Sequence, residues 1–272
     1  MNRRSSPLWH LILAPIAFLF ALPLLWMVLS SFMSNAQINQ FPPTIIPDSL
    51  HLDGWRTVFG DSQFPRWFLN STIVASVTVI SNLAFCSLAG YAFARMRFRG
   101  STVFFLLILF TLIIPFQLTM IPTFIVMDKL GLVDTLAALI VPALVTPLGV
   151  FLMRQFFMNL PKEVEEAARI DGCSRLGVLW HVALPLAKPA LSTLAALTFL
   201  VMWNDLLWPL IAISSDENST LPLGLTTFQG QHTQDFSAVM AGNVITVTPV
   251  LIAFLFAQKT FIQSLTSSAV KG

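Results

Sequence analysis

Charge is scarce in this chain. Asp, Glu, Lys and Arg make up 10% of its 272 residues, against about 25% in ordinary water-soluble domains, which excludes a soluble globular protein. Cysteine is limited to two residues. Cys86 lies inside an apolar run and Cys173 in a polar stretch, so the two sit at different depths and no disulfide is expected between them. The four histidines, His10, His51, His181 and His232, are isolated and show no metal-ligand spacing. A phosphate-binding Gly-x4-Gly-Lys-Ser/Thr loop is missing too. Its nearest match, Gly172 to Gly177, runs on into Val178-Leu179 where Lys and Ser/Thr are required. Glu165 and Glu166, neighbours about 100° apart on a helix, have no nucleophile or histidine arranged around them. No catalytic residue, metal site or bound cofactor is therefore assigned.

What the chain has in abundance is hydrocarbon. Hydrophobic residues account for 56% of it and the mean hydropathy is +0.77, the composition of an all-α integral membrane protein. Six transmembrane helices are predicted, at about 8–32, 68–94, 101–126, 135–157, 188–213 and 237–261. Pro115 and Pro122 break the third, and the fourth contains Pro142 and Pro147. The first run is too long for a signal peptide. Its following loop carries a short amphipathic helix at Leu52 to Phe59, suited to the membrane interface. Of the 15 Lys and Arg residues, Arg56, Arg66 and Lys129 fall on one side. Arg3, Arg4, Arg95, Arg97, Arg99, Arg154, Lys162, Arg169, Arg175, Lys188, Lys259 and Lys271 fall on the other. Because Lys/Arg bias sets orientation, that richer side and both termini are placed in the cytoplasm of a multi-pass inner (plasma) membrane protein. The inner membrane face accounts for the basic residues without nucleic acid. Two parts follow: 1–67, the first span and an external loop, and 68–272, a five-helix core.

One polar island interrupts the core at about 158–186. Lys162 to Ile170 has helix-forming composition, with Pro161 at its start and Gly172 where a helix must stop. Val164, Ala167 and Ala168 share one face. A second short helix places Leu176, Leu179, Trp180 and Ala183 at i, i+3, i+4 and i+7, with Ser174, Gly177 and His181 opposite. Periodicity alone leaves two readings open: a loop packed on its own helices, or an exposed small helix shaped to enter a partner's groove.

The spacing of Glu166, Ala167, Ala168, Gly172, Val182, Leu184 and Pro185 resembles the EAA loop of ABC importer permeases, with Val182 replacing the usual isoleucine. Ala92 to Gly100, Arg154 to Phe157, Trp203 to Leu210 and the tail Leu265 to Gly272 extend the resemblance almost end to end. They are similar to the carbohydrate-uptake branch of that family, the relatives of the maltose transporter's smaller permease. The resemblance implies a type I importer permease fold whose EAA loop forms a cytoplasmic coupling helix. It implies a second homologous permease, two ATP-binding subunits that hold ATP and Mg, an external solute-binding protein, and a carbohydrate solute or a phosphorylated polyol or amino sugar. Glu166, Ala167, Ala168, Asp171 and Gly172 become the ATPase-docking residues.

Asp205 is the one acid placed within a predicted span, about 12 Å from its outer end at about 1.5 Å per residue. With Trp203, Asn204 and Trp208 it offers aromatic faces and polar groups to a sugar, as a wall of the solute pathway. The same four residues equally suit a buried hydrogen-bonded cluster with interfacial tryptophans. An ion-coupled transporter would carry more intramembrane carboxylates than this chain has, and a membrane enzyme would need the missing catalytic groups.

Overall fold

The structure, a computed structural model, describes residues 7–61, 63–229 and 235–269, with side chains described for 11, 13–61, 63–229 and 235–255. Arg3, Arg4, His232 and Lys271 lie outside the described residues, as do the side chains of His10 and Lys259 and those of the tail from Leu265 onward. The regular structure of the described residues is helical. In order come α1 (Pro7–Ser30), α2 (Asn35–Ile38), α3 (Asp53–Gly60), α4 (Phe64–Arg95), α5 (Ser101–Thr111), α6 (Phe116–Lys129), α7 (Leu136–Ile140) and α8 (Pro147–Asn159). They are followed by α9 (Lys162–Ile170), α10 (Arg175–Val178), α11 (Leu184–Leu186), α12 (Lys188–Trp203), α13 (Leu207–Ala212), α14 (Leu221–Leu225) and α15 (Phe236–Ala269).

Among the described residues, four segments are long and apolar enough to cross a membrane: Leu13–Ser30, Phe64–Arg95, Leu136–Asn159 and Phe236–Leu255. The third predicted span is broken near Pro115 as its prolines led us to expect, whereas the fifth, read as one run over 188–213, is interrupted between Trp203 and Leu207. The third is bent by 104° between α5 and α6, and helix α12 of the fifth turns 79° away from the short helices before it. Proline is the physical cause of the first bend. Pro115 itself is extended (φ −60°, ψ 137°) and has no amide hydrogen to donate back, so α6 starts afresh behind it. Pro122, by contrast, sits inside α6 without ending it. Counting each bent pair as one crossing brings the total to as many as six.

The chain divides into two compact units. One comprises residues 1–64 and 224–249. In it Phe32, Trp55, Phe59 and Phe64 form a chain of ring contacts 5.6 to 6.1 Å apart, and Val58 is fully buried. Asn35 ties its α2 to the start of α15 by donating to Asp235 (3.0 Å) and accepting from the Ser237 amide (3.0 Å).

The other unit comprises residues 65–223 and 250–272. Its larger core joins Cys86 and Tyr91 of α4, Val150, Met153 and Phe157 of α8, Leu179 and Ala183, and Ala190 and Leu194 of α12. Glycine brings α4 and α8 together here. A Cβ on Gly90 would lie 2.7 Å from the Met153 Cβ and 2.8 Å from the Arg154 amide nitrogen, so only glycine permits this approach. A smaller core gathers Val74, Met127, Ala138, Leu139, Trp208, Ala212 and Ile213. Both cysteines are free.

Candidate coupling knob and intramembrane cavity

The polar island folds as two short helices joined by a glycine. α9 spans the predicted Lys162 to Ile170. Gly172 closes it at φ +89°, a left-handed conformation that only glycine takes without strain. The Cys173 amide reaches back to the Ala168 carbonyl (3.0 Å) and the Gly172 amide to Arg169 (3.1 Å), which satisfies carbonyls that would otherwise be orphaned. Ser174 then caps α10 by accepting from the Gly177 amide (3.1 Å).

Among the docking residues assigned from the sequence, Glu166, Ala167, Asp171 and Gly172 are exposed and Ala168 is half-buried. Beside them stands Ile170, an apolar side chain that is 86% exposed. The second helix differs from the simple periodic reading. Val178, Leu179 and Ala183 are buried, whereas Leu176 and Trp180 are 61% and 60% exposed. A π turn spans Leu179–Ala183. One extra residue per turn rotates the face, so the 3.6-residue repeat does not hold across it.

Sequence inspection gave Glu165 no role, yet it is the inward residue of α9. Its Oε1 accepts from Arg95 Nε at 2.8 Å, with the two side chains only 13% and 9% exposed. Its Oε2 accepts from the Tyr91 hydroxyl (3.3 Å), and Arg95 Nη2 donates to the Leu160 carbonyl (2.6 Å). Arg95 and Glu165 are 70 residues apart, beyond any local pattern.

The intramembrane candidates divide. Asp205 is not within a helix: α12 stops at Trp203 and α13 begins at Leu207. The Asp205 carboxylate accepts the Trp208 amide (3.3 Å), so it helps start α13 after the break. Trp203 is buried against Phe68 and Phe199. Trp208 is buried too and donates its Nε1–H to the Ala138 carbonyl (3.0 Å). Asn204 is exposed and turns its amide back to the Leu200 carbonyl (2.8 Å). Asp205 and Trp208 border a cavity of about 370 Å³ together with Phe116, Pro142, Ala143, Thr146 and Met202. The walls are largely apolar, with the Asp205 carboxyl and Thr146 hydroxyl as polar contributions.

Asn82 holds one wall of that cavity in place. It is fully buried. Its amide donates to the Ala143 carbonyl (2.7 Å) and to Thr78 of its own helix (3.0 Å). Its carbonyl accepts the Thr146 amide (3.2 Å), the Thr146 hydroxyl (2.7 Å) and the Cys86 thiol (3.3 Å). Pro142 and Pro147 interrupt the helix there, and Asn82 supplies partners for backbone groups that lipid cannot satisfy. A polar residue beside Ser81 in a mostly apolar run was its sequence signal. Beyond the opposite ends of α6 and α13, Asp134 adopts φ +61° and its Oδ1 accepts the amides of Ser214 (3.0 Å) and Ser215 (2.9 Å) and the Ser215 hydroxyl (2.9 Å). These hydrogen bonds, the Ser215 amide foremost, hold its carboxyl below the ordinary aspartate range. Among the described residues no group of three or more His, Cys, Asp or Glu side chains converges as a metal site.

The fold is that of a type I importer permease. A family model described as binding-protein-dependent transport system inner membrane component matches residues 86–267, and the chain belongs to that family. Over the full length of both chains it is 41% identical to the arabinooligosaccharides transport system permease protein AraQ of Halalkalibacterium halodurans. It is 32% identical to the sn-glycerol-3-phosphate transport system permease protein UgpE of Yersinia pestis bv. Antiqua, over 98% of each chain. A chain from the crystal structure of a bacterial ABC transporter involved in the import of the acidic polysaccharide alginate aligns at TM-score 0.81 and 27% identity, covering 95% of this chain and 98% of that one. A bacterial alginate ABC transporter in complex with an alginate pentasaccharide-bound periplasmic protein shares the fold at TM-score 0.67, with 13% identity and 92% of each chain covered. The protein is thus an inner-membrane permease subunit of a binding-protein-dependent ABC importer, with the ATPase on separate subunits. Membership removes the ion-coupled transporter and membrane-enzyme alternatives.

Proposed function

We propose that this chain is one of two homologous permeases of a carbohydrate importer, crossing the membrane six times with both termini in the cytoplasm. In this reading α9 and α10 form the coupling knob, seated in a cleft of one of two ATP-binding subunits that hold ATP and Mg. An external binding protein delivers the solute to the opposite face. The observation that carries the reading is the exposed surface of the knob. Ile170 and Leu176, at 86% and 61% exposure, are too apolar for a free cytoplasmic helix pair and suit a partner's groove. Glu166 lies beside them to pair with a basic group, and the exposed Ala167 allows close approach.

The first test is co-purification with the ATPase and solute-stimulated ATP hydrolysis in lipid, comparing wild type with Ile170→Asp, Ala168→Trp and Gly172→Asp. Ile170→Asp replaces an exposed side chain, so the fold is retained and ATPase capture is lost. Normal capture and stimulation in all three variants would sink the docking reading.

For the solute, a neutral pentose oligosaccharide is favoured. The full-length relative at 41% identity transports arabinooligosaccharides, and Asp205 at the cavity has the wrong charge sign to attract an anion. A phosphorylated polyol is the second reading, supported by the 32% identity to the sn-glycerol-3-phosphate permease. ATPase stimulation by a binding protein loaded with one or the other separates them.

A further inference from the structure

α9 hangs from α8 by an extended joint. Leu160 has φ −69° and ψ 139°, and Pro161 φ −58° and ψ 131°, so on its own the knob would swing about these two residues when pushed. Arg95, the last residue of α4, straddles that joint, donating to the Leu160 carbonyl on one side and the Glu165 carboxylate on the other. Tyr91, one turn earlier, holds the second carboxylate oxygen and packs edge-on against Phe157 of α8, with centroids 5.4 Å apart. The knob is therefore clamped to α4.

α4 then runs 32 residues without a break, about 48 Å at about 1.5 Å per residue. At its far end Trp67 Nε1 donates to the Asp216 carbonyl (2.9 Å), and Asn70 donates to the carbonyls of Glu217 (2.8 Å) and Ser219 (2.9 Å). The Leu221 amide donates to the Ser71 hydroxyl (2.8 Å). Other routes through this unit are interrupted: the third span bends by 104° after Thr111, and the fifth is broken between Trp203 and Leu207. A displacement entering either would be absorbed at the break.

We propose that the Arg95–Glu165–Tyr91 clasp makes α4 the rod by which movement of the coupling knob reaches the Asp216–Leu221 segment on the solute-entry side. Arg95 and Glu165 are positioning residues in this scheme and touch neither nucleotide nor solute. The scheme rests on the docking role of α9 given above.

The test uses the assembled transporter in proteoliposomes, with Arg95→Met, Glu165→Gln, the exchange Arg95→Glu/Glu165→Arg, and a reporter thiol from Glu217→Cys. The Glu217 side chain makes an exposed ion pair with Arg66 (3.2 Å), whose loss costs little, and the backbone carbonyl that Asn70 uses is kept in the variant. A membrane-impermeant maleimide reads the reporter with and without trapped ATP. The expected result is that Arg95→Met and Glu165→Gln complexes keep their ATPases and hydrolyse ATP. Solute moved per ATP falls at least about tenfold, as loss of a coupling contact worth about 1.4 kcal/mol would give. The ATP-dependent change in labelling disappears, and the exchange variant regains part of both. Unchanged transport per ATP, or a labelling change that survives in Arg95→Met complexes, would overturn the proposal. So would loss of the ATPase with an intact labelling change in the complexes that do assemble, because the pair would then only shape the docking surface. Should Arg95→Met fail to assemble, Tyr91→Phe keeps the ring on Phe157 and deletes one hydrogen bond. A drop of a few-fold in transport per ATP is expected there, and no drop refutes the scheme. Ile170→Asp is the separate control: if it captures the ATPase normally, the docking reading fails whatever Arg95→Met does.

Discussion

Replacing Asn82 by leucine puts the intramembrane design to a quantitative test. The two side chains are close in size, so the change deletes hydrogen bonds more than volume. Three of those bonds join α4 to the interrupted segment that lines the cavity: to Ala143 O and from Thr146 N and Oγ1. Bonds between membrane helices average about 0.6 kcal/mol and reach about 1.7, so losing three is worth about 2 to 5 kcal/mol. The lower figure corresponds to about a 30-fold rise in the open population. Cys86 is a built-in reporter, fully buried and within 3.3 Å of the Asn82 carbonyl. In an assembled transporter with Cys173→Ser and cysteine-free partners, a thiol-reactive dye reads the thermal exposure of Cys86. Asn82→Leu is expected to melt several degrees below wild type. Ser81→Ala, which removes only a bond within the same helix (Thr78 O, 2.9 Å), should lie within about 0.5 kcal/mol of it. Equal melting of the two variants would refute the claim that Asn82 holds the break.

Gly90→Ala should destabilise by about 1 to 3 kcal/mol, because its Cβ would meet backbone-fixed atoms of Met153 and Arg154 at 2.7 and 2.8 Å. Gly60→Ala, with nothing within 4 Å, is the neutral control in the same melting assay. At Asp134 the folded state holds the pKa below 3.8, so unfolding takes up a proton in that window. The stabilisation is fully present above the ordinary aspartate value and is lost as pH falls through the depressed one. Hydrogen exchange at the Ser214 and Ser215 amides, corrected for intrinsic rate, should lose protection below that value in wild type. In Asp134→Ala protection should be low at every pH, and matching profiles would remove Asp134 from the role.

Much of this molecule was legible because it depends on local, additive properties. Hydrocarbon runs marked the apolar segments. The α9 boundaries followed from Pro161, a run of helix formers and Gly172, each acting on its own few residues. The EAA spacing carried the family because it is a fixed arrangement of residues along one short stretch. Tertiary structure decided the rest. Packing buried Val178, Leu179 and Ala183 and left Leu176 and Trp180 exposed, and the π turn at Leu179–Ala183 interrupts the regular period there. Asp205 came to rest in a helix break, where its carboxylate accepts an amide that the interruption frees. Arg95 with Glu165, and Asn82 with Thr146, are separated by 70 and 64 residues. Where water is excluded each polar group must find a partner, and only the packing of the helices determines which ones come within reach.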